Sequence, residues 1–187
     1  MKIGVLSFHG DFAEHISVLT ALKVQSMEVR TLEDLEQVDR LIIPGGESTV
    51  IAKFLQMTGM DRVIRKRVAK GKLAVYGTCA GAILVAAKAK GKNAPSSLGL
   101  INIVVERNAY GSQMQSFEAA LKVKGIAESV NGSFIRAPII TKAGRGVEVL
   151  SMHDGKPVLV RQGRVLAGTF HPETRGEIAI HKLFLSL

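Results

Sequence analysis

Cys79 is the only cysteine in the chain, and it stands in the run Gly77-Thr78-Cys79-Ala80-Gly81. The apolar run Leu73–Tyr76 precedes it and a helical stretch, Ala82–Ala89, follows. Gly-x-Cys-x-Gly between a buried strand and a helix has the form of a nucleophile elbow with cysteine in place of serine. So sharp a strand-to-helix turn strains the middle residue, and neighbours without bulky side chains let it fit. A thiol there would stand above the sheet at a helix N-terminus, which favours a thiolate, and the Ala80 N–H would face a developing oxyanion. Taken alone, the same residues also fit an inert buried thiol in a glycine-rich turn. With no second Cys or His beside it, Cys79 suggests neither a disulfide nor a zinc site, and no metal is expected.

A thiol nucleophile needs a base. His171-Pro172-Glu173 follows the apolar run Val165–Phe170, which sets the imidazole at a strand end. Glu173 is placed to accept the second ring N–H and fix the tautomer, as the acid of a catalytic triad does. An isolated His-Pro-Glu also reads as a plain turn before a helix; only beside the elbow does it read as catalytic. His9, at the end of the first strand, is the rival base. His15 and His181 fall in helices and His153 in a turn, and all three are expected at the surface. Pro44-Gly45-Gly46-Glu47-Ser48-Thr49 closes another strand and opens a helix, with Ser48 as the expected cap. Free backbone N–H groups there attract anions, but the Gly-Lys-Ser/Thr ending of a phosphate loop is missing.

The elements that must position these groups alternate in the first half of the chain. Ile3–Phe8 is a continuous apolar strand; Asp11 offers an N-cap with Glu14 in capping-box position, and Phe12, Ile16, Leu19 and Leu22 share a helical face. Strands follow at Glu28–Leu32 and Arg40–Pro44, then a helix over Thr49–Gln56 with Val50, Ile51, Phe54 and Leu55 inward. Such alternation predicts βαβ units on a parallel sheet. Beyond a loop at 90–97, short strands are predicted at Leu100–Glu106, Ser116–Val123, Ser133–Ile140, Val147–Met152, Pro157–Arg161 and Val165–Phe170, and a last helix at Glu177–Leu187. One domain over residues 1–187 is expected.

Composition agrees. A chain of 187 residues, 47% hydrophobic and 22% charged, can build an ordinary core, burying roughly 70% of the surface its unfolded form exposes. The charge-free stretch Leu73–Ala87 is too short and too interrupted by glycine to span a bilayer, and Met1-Lys2-Ile3-Gly4 enters a strand at once, so a cytoplasmic protein without membrane contact is expected. Lys and Arg outnumber Asp and Glu by 25 to 16, and six of the eleven residues Arg62–Lys72 are basic. Val63, Ile64 and Val68 recur there at helical spacing, so the run reads as an amphipathic helix with a solvated face or an acidic partner's surface, and nucleic acid is not expected.

Pro44-Gly45-Gly46, the cysteine elbow and Phe170-His171-Pro172-Glu173 together resemble the class I (triad) glutamine amidotransferases. Gly10-Asp11-Phe12-Ala13-Glu14-His15, Glu47-Ser48-Thr49, Val105-Glu106-Arg107-Asn108-Ala109-Tyr110-Gly111 and Phe134-Ile135-Arg136-Ala137-Pro138 narrow the resemblance to the glutaminase subunits of pyridoxal 5′-phosphate synthases, over essentially the whole length. His9 stands where that family usually has Gln, and Thr174 where it usually has Leu. The resemblance implies a three-layer α/β sandwich with a mixed, largely parallel central sheet, flavodoxin-like in layout. It implies hydrolysis of L-glutamine by Cys79, His171 and Glu173, with Gly46 and Ala80 forming the oxyanion hole. Gly46, Glu47, Ser48, Arg107, Ile135 and Arg136 are implied to bind glutamine, no cofactor is needed, and the partner is a synthase subunit in a hetero-oligomer. The glutaminase of imidazole glycerol phosphate synthase and a cysteine peptidase of the same fold are the alternatives.

Overall fold

The computed structural model describes residues 1–107 and 116–187. In chain order the first half contains β1 (Ile3–Leu6), α1 (Phe12–Ala21), β2 (Ser26–Val29), α2 (Leu32–Gln37), β3 (Arg40–Ile43), α3 (Ser48–Thr58) and α4 (Met60–Ala69). Next come β4 (Ala74–Thr78), α5 (Ala80–Val85), β5 (Ala86–Lys90), β6 (Ile101–Glu106), β7 (Phe117–Leu121), β8 (Val130–Phe134) and β9 (Ile139–Ala143). Last are β10 (Glu148–His153), β11 (Lys156–Gln162), β12 (Val165–Gly168), a 3-10 turn (Glu173–Arg175) and α6 (Ala179–Leu185). A seven-stranded sheet in the order β10-β11-β12-β4-β3-β1-β2 forms the middle layer. The strands from β12 to β2 pair in parallel, and β10 and β11 add an antiparallel edge.

Period-two alternation divides the side chains of these buried strands between two cores. Leu41, Ile43, Val75, Val165 and Ala167 face one side, under α2 to α5 and the small sheet β5-β6-β9. Ile42, Ala74, Tyr76 and Leu166 face the other, under α1, α6 and the hairpin β7-β8. Tyr76, Phe170 and Phe184 are fully enclosed there; burying a side chain of this size contributes about 1.5–3 kcal/mol. The sandwich expected from the sequence is therefore present. Among the described residues no helix is long and apolar enough to cross a membrane.

Four local expectations are corrected. The second strand ends at Val29, because Thr31 and Asp34 form a capping box that starts the unanticipated α2: Thr31 Oγ1 accepts the Asp34 N–H at 3.2 Å and Asp34 Oδ2 the Thr31 N–H at 2.9 Å. The helix after the elbow stops at Val85, and Ala86–Lys90, despite its helix-forming residues, pairs in parallel with β6. The expected strand Ser133–Ile140 is two, β8 and β9, broken at residues 135–138 with Arg136 at φ 45°. Phe54 is 40% exposed, stacked on Phe8 with ring centroids 5.2 Å apart, instead of facing inward.

The basic run forms α4 with Ile64 buried. Arg67 folds back onto the carbonyls of Leu35 and Val38, and Arg65 onto that of Ser97, so part of the charge ties α4 to its neighbours.

Candidate active site

The elbow is built by the backbone. Cys79 lies between β4 and α5 at φ 48°, ψ −102°, a conformation costing a non-glycine residue about 1–3 kcal/mol. Its N–H donates to the Gly168 carbonyl of β12 at 2.8 Å, and its own carbonyl accepts the Ile83 N–H at 3.3 Å. Gly81 packs so closely on β3 that a Cβ there would overlap the Ile43 carbonyl oxygen. Ala80 opens α5, so its N–H has no acceptor within the helix. Cys79 is 9% exposed, and its sulfur lies 4.0 Å from the Ile135 carbonyl oxygen.

His171 stands just beyond β12 and is pinned to β8 through its backbone: its N–H donates to the Ser133 carbonyl at 2.8 Å and its carbonyl accepts the Ser133 N–H at 3.4 Å. Pro172 turns the chain into the 3-10 turn that brings Glu173 under the ring. Glu173 Oε1 accepts from His171 Nδ1 at 2.7 Å, leaving Nε2 for the thiol. Both side chains are buried. Burial alone would lower the imidazole pKa, but the interactions of the ring with Cys79 and Glu173 outweigh it and push the value up to about 11. Burial in turn raises the Glu173 carboxyl, against the hydrogen bond from His171 that favours its charged form.

A second carboxylate approaches the same nitrogen. Asp11 was the expected cap of α1, yet its side chain makes no capping bond and its Oδ2 lies 3.3 Å from His171 Nδ1. A Cβ on Gly45 would strike the same imidazole. The Gly45 carbonyl accepts the Asp11 N–H at a long 3.4 Å, and in a trans peptide this turns the Gly46 N–H the opposite way. Gly46 itself lies at φ 135°, a value glycine adopts readily.

Glu47, not Ser48, caps α3: its Oε1 accepts the Thr49 N–H at 3.2 Å and the Thr49 hydroxyl at 2.9 Å. The same oxygen pairs with Arg107 Nη2 at 2.7 Å, while Arg107 Nη1 donates to the Asn93 carbonyl at 3.0 Å. Burial raises the Glu47 carboxyl, but these partners more than offset it and hold the pKa below the usual range. The Ser48 hydroxyl is buried with no hydrogen-bond partner among the described residues. His9 is exposed and its Nδ1 accepts the Glu47 N–H at 3.3 Å. With that nitrogen turned to the loop and no carboxylate behind it among the hydrogen bonds it makes, His9 lacks the support that His171 has.

One cleft of about 290 Å³ collects Cys79, His171, Gly46, Ala80 and the Glu47-Ser48 pair, together with Arg107, Ile135 and Arg136. Glu173 lies behind His171. Of the Val105–Gly111 motif, Asn108–Gly111 falls outside the described residues. The volume suits one amino acid, at the small end of ligand pockets. Nothing in the local sequence signals Asp11 as a neighbour of the base, and His15 and His181, expected at the surface, are fully buried. His153 ends β10, half-buried and stacked on Phe117 and Phe134.

A cysteine elbow at the carboxyl end of a central parallel strand, with a His–Glu pair at the end of the next, is the layout of a class I, or triad, glutamine amidotransferase. The model of the SNO glutamine amidotransferase family matches residues 5–187, and the chain belongs to that family. It is 47% identical over 185 residues to the pyridoxal 5′-phosphate synthase subunit PdxT of a Thermus thermophilus strain, covering 99% of this chain and 96% of that protein. To the subunit of the same name from Chloroflexus aurantiacus it is 48% identical over 191 residues, covering the whole of both chains. A crystal structure described as a glutamine amidotransferase superposes with a TM-score of 0.94 at 48% identity, covering 98% of this chain and 97% of that one. The structure of PurLQS from Thermotoga maritima shares the fold, with a TM-score of 0.72 at 17% identity over 99% and 97% of the two chains.

Proposed function

We propose that this chain, as one glutamine amidotransferase domain, hydrolyses L-glutamine to L-glutamate and ammonia and hands the ammonia to a synthase subunit that makes pyridoxal 5′-phosphate. The observation that carries the reading is one cleft lined by Cys79, His171 and two arginines, with Glu173 hydrogen-bonded to His171 from behind. Cys79 attacks the side-chain amide carbon as a thiolate, and the N–H groups of Ala80 and Gly46 stabilise the oxyanion. His171 gives its proton to the departing ammonia, leaving a thioester; it then takes a proton from the water that cleaves that thioester, releasing glutamate and the thiolate.

Arg107 and Arg136 are assigned to the α-carboxylate of glutamine, alone or jointly. A charge-assisted contact of this kind contributes about 1.5–3 kcal/mol, so substituting either arginine with Met should raise KM for glutamine roughly ten- to hundredfold and change kcat little. Arg136→Met is the cleaner variant, since losing Arg107 also frees Glu47 at the start of α3. Unchanged KM in both correctly folded variants would remove these residues from the substrate site.

Ammonia released into water is mostly protonated and no longer nucleophilic, so hydrolysis should depend on docking. The Gly45–Gly46 peptide is the proposed switch, held by one long hydrogen bond and free to rotate. The isolated chain should release little glutamate, and adding a pyridoxal 5′-phosphate synthase subunit should raise the rate clearly. Full activity alone, or stimulation only by the synthase subunit of imidazole glycerol phosphate synthase, would contradict the reading. Cleavage of peptides in preference to free glutamine would favour a peptidase.

A further inference from the structure

Behind the triad, on the α1/α6 side of the sheet, lies a buried polar cluster that the mechanism above does not use. His15 of α1 and His181 of α6 are both fully enclosed. His15 Nδ1 lies 2.9 Å from His181 Nε2, and His15 Nε2 lies 3.1 Å from Thr78 Oγ1 and 3.6 Å from Glu173 Oε1. One imidazole thus bridges the residue preceding the nucleophile and the acid of the triad. Tyr76 closes the cluster, its ring nearly perpendicular to both imidazoles.

Burial holds both rings neutral, His15 well below its ordinary pKa and His181 at about 4. A neutral pair shares one proton along its Nδ1···Nε2 contact, so two registers exist. In the first, His181 donates from Nε2, and the His15 proton sits on Nε2, facing Thr78 and Glu173. In the second, His181 holds its proton on Nδ1, a buried atom with no hydrogen-bond partner among the described residues, and the His15 Nε2 lone pair faces the carboxylate. Glu173 selects between them. Its Oε2 is buried with no hydrogen-bond partner among the described residues; His171 donates to its Oε1, and besides that only its own backbone N–H adds a hydrogen bond favouring the charged form. A buried carboxylate so sparsely served is stabilised by an N–H dipole at 3.6 Å and destabilised by a lone pair.

We propose that His15 is a positioning residue for the triad: its Nε2–H, oriented by His181, lies between Thr78 Oγ1 and Glu173 Oε1 and keeps Glu173 ionised under the His171 ring. Glu173 is faced by His171 from its own turn, by Asp11 from the β1–α1 turn, by His15 from α1 and by Tyr76 from β4, and Asp11 pushes its carboxyl up. The Tyr76 hydroxyl makes no hydrogen bond among the described residues, so His15, with Nε2 3.6 Å from Glu173 Oε1, is the cluster member placed to offset that repulsion.

The assignment rests on the triad reading above, so its test has one arm independent of activity. In the ¹⁵N-labelled chain, ¹⁵N–¹H correlation of the histidine side chains should find His15 as the neutral Nε2–H tautomer; an Nδ1–H tautomer or a charged ring would overturn the proposal. With the synthase subunit present, His15→Leu should lower kcat roughly tenfold, the effect of weakening one contact to a buried charge, with KM unchanged. Removing the donor raises the Glu173 pKa, so the acidic limb of the kcat profile should move to higher pH. Glutamine carries its amide nitrogen near the position of the histidine Nε2, so His15→Gln should restore both rate and limb. Equal losses in both variants with the limb unmoved would reduce His15 to packing and overturn the proposal, and if His15→Leu does not fold, the tautomer and His15→Gln decide. A wild-type complex that releases no glutamate would instead refute the triad reading and leave the tautomer result standing.

Discussion

Cys79→Ser is expected to reduce glutamine hydrolysis by a factor on the order of 10⁴ or more while the protein keeps its fold. Serine differs from cysteine by one atom, and the strained backbone is held by Gly168, Ile83 and the packing of Gly81 on β3, none of which involves the sulfur. What is lost is the nucleophile: a hydroxyl is a far weaker acid than a thiol and far harder to convert into an attacking anion. The comparison is made as glutamate release with the synthase subunit present, beside circular dichroism to verify the fold. Activity within tenfold of wild type would reject the covalent mechanism.

The second large effect separates the two histidines that reach the carboxyl edge of the sheet. His171→Asn should lower kcat by about 10³–10⁴, because proton transfer to ammonia and from water both run through this ring. His9→Gln should keep most of the activity. The reason is structural: His171 is buried with Glu173 on its Nδ1, whereas His9 is exposed and its Nδ1 accepts the Glu47 N–H. The burial of His171 also raises the cost of losing its partner, so Glu173→Gln should fall between the two. Loss of activity in His9→Gln with retention in His171→Asn would transfer the base to His9.

The sequence made the cysteine elbow, the His–Glu turn and the double-glycine loop legible because each combines a strand end with residues that only a tight turn requires. The alternation of the first half also sufficed for a largely parallel sheet. Less was readable where tertiary contacts overrode local pattern. Ala86–Lys90 looks helical and becomes a strand because β6 offers its edge. Asp11 has the spacing of a helix cap, but His171 lies close enough to take its carboxylate. His15 and His181 sit 166 positions apart, and only the packing of α1 against α6 shows that they meet. The Thr31–Asp34 capping box is a different case: its Thr-x-x-Asp spacing is itself a signal for α2, and the strand expected through Leu32 overran it.

The central claim is that glutamine is cleaved through a thioester on Cys79, and rapid acid quenching of the complex during turnover, followed by peptide mass analysis, tests it most directly. The peptide containing Cys79 should carry the added mass of a glutamyl group, the adduct should be absent from Cys79→Ser, and it should accumulate in a variant slowed at the water step. Steady glutamate release with no adduct on that peptide, or with the adduct on another residue, would contradict the account.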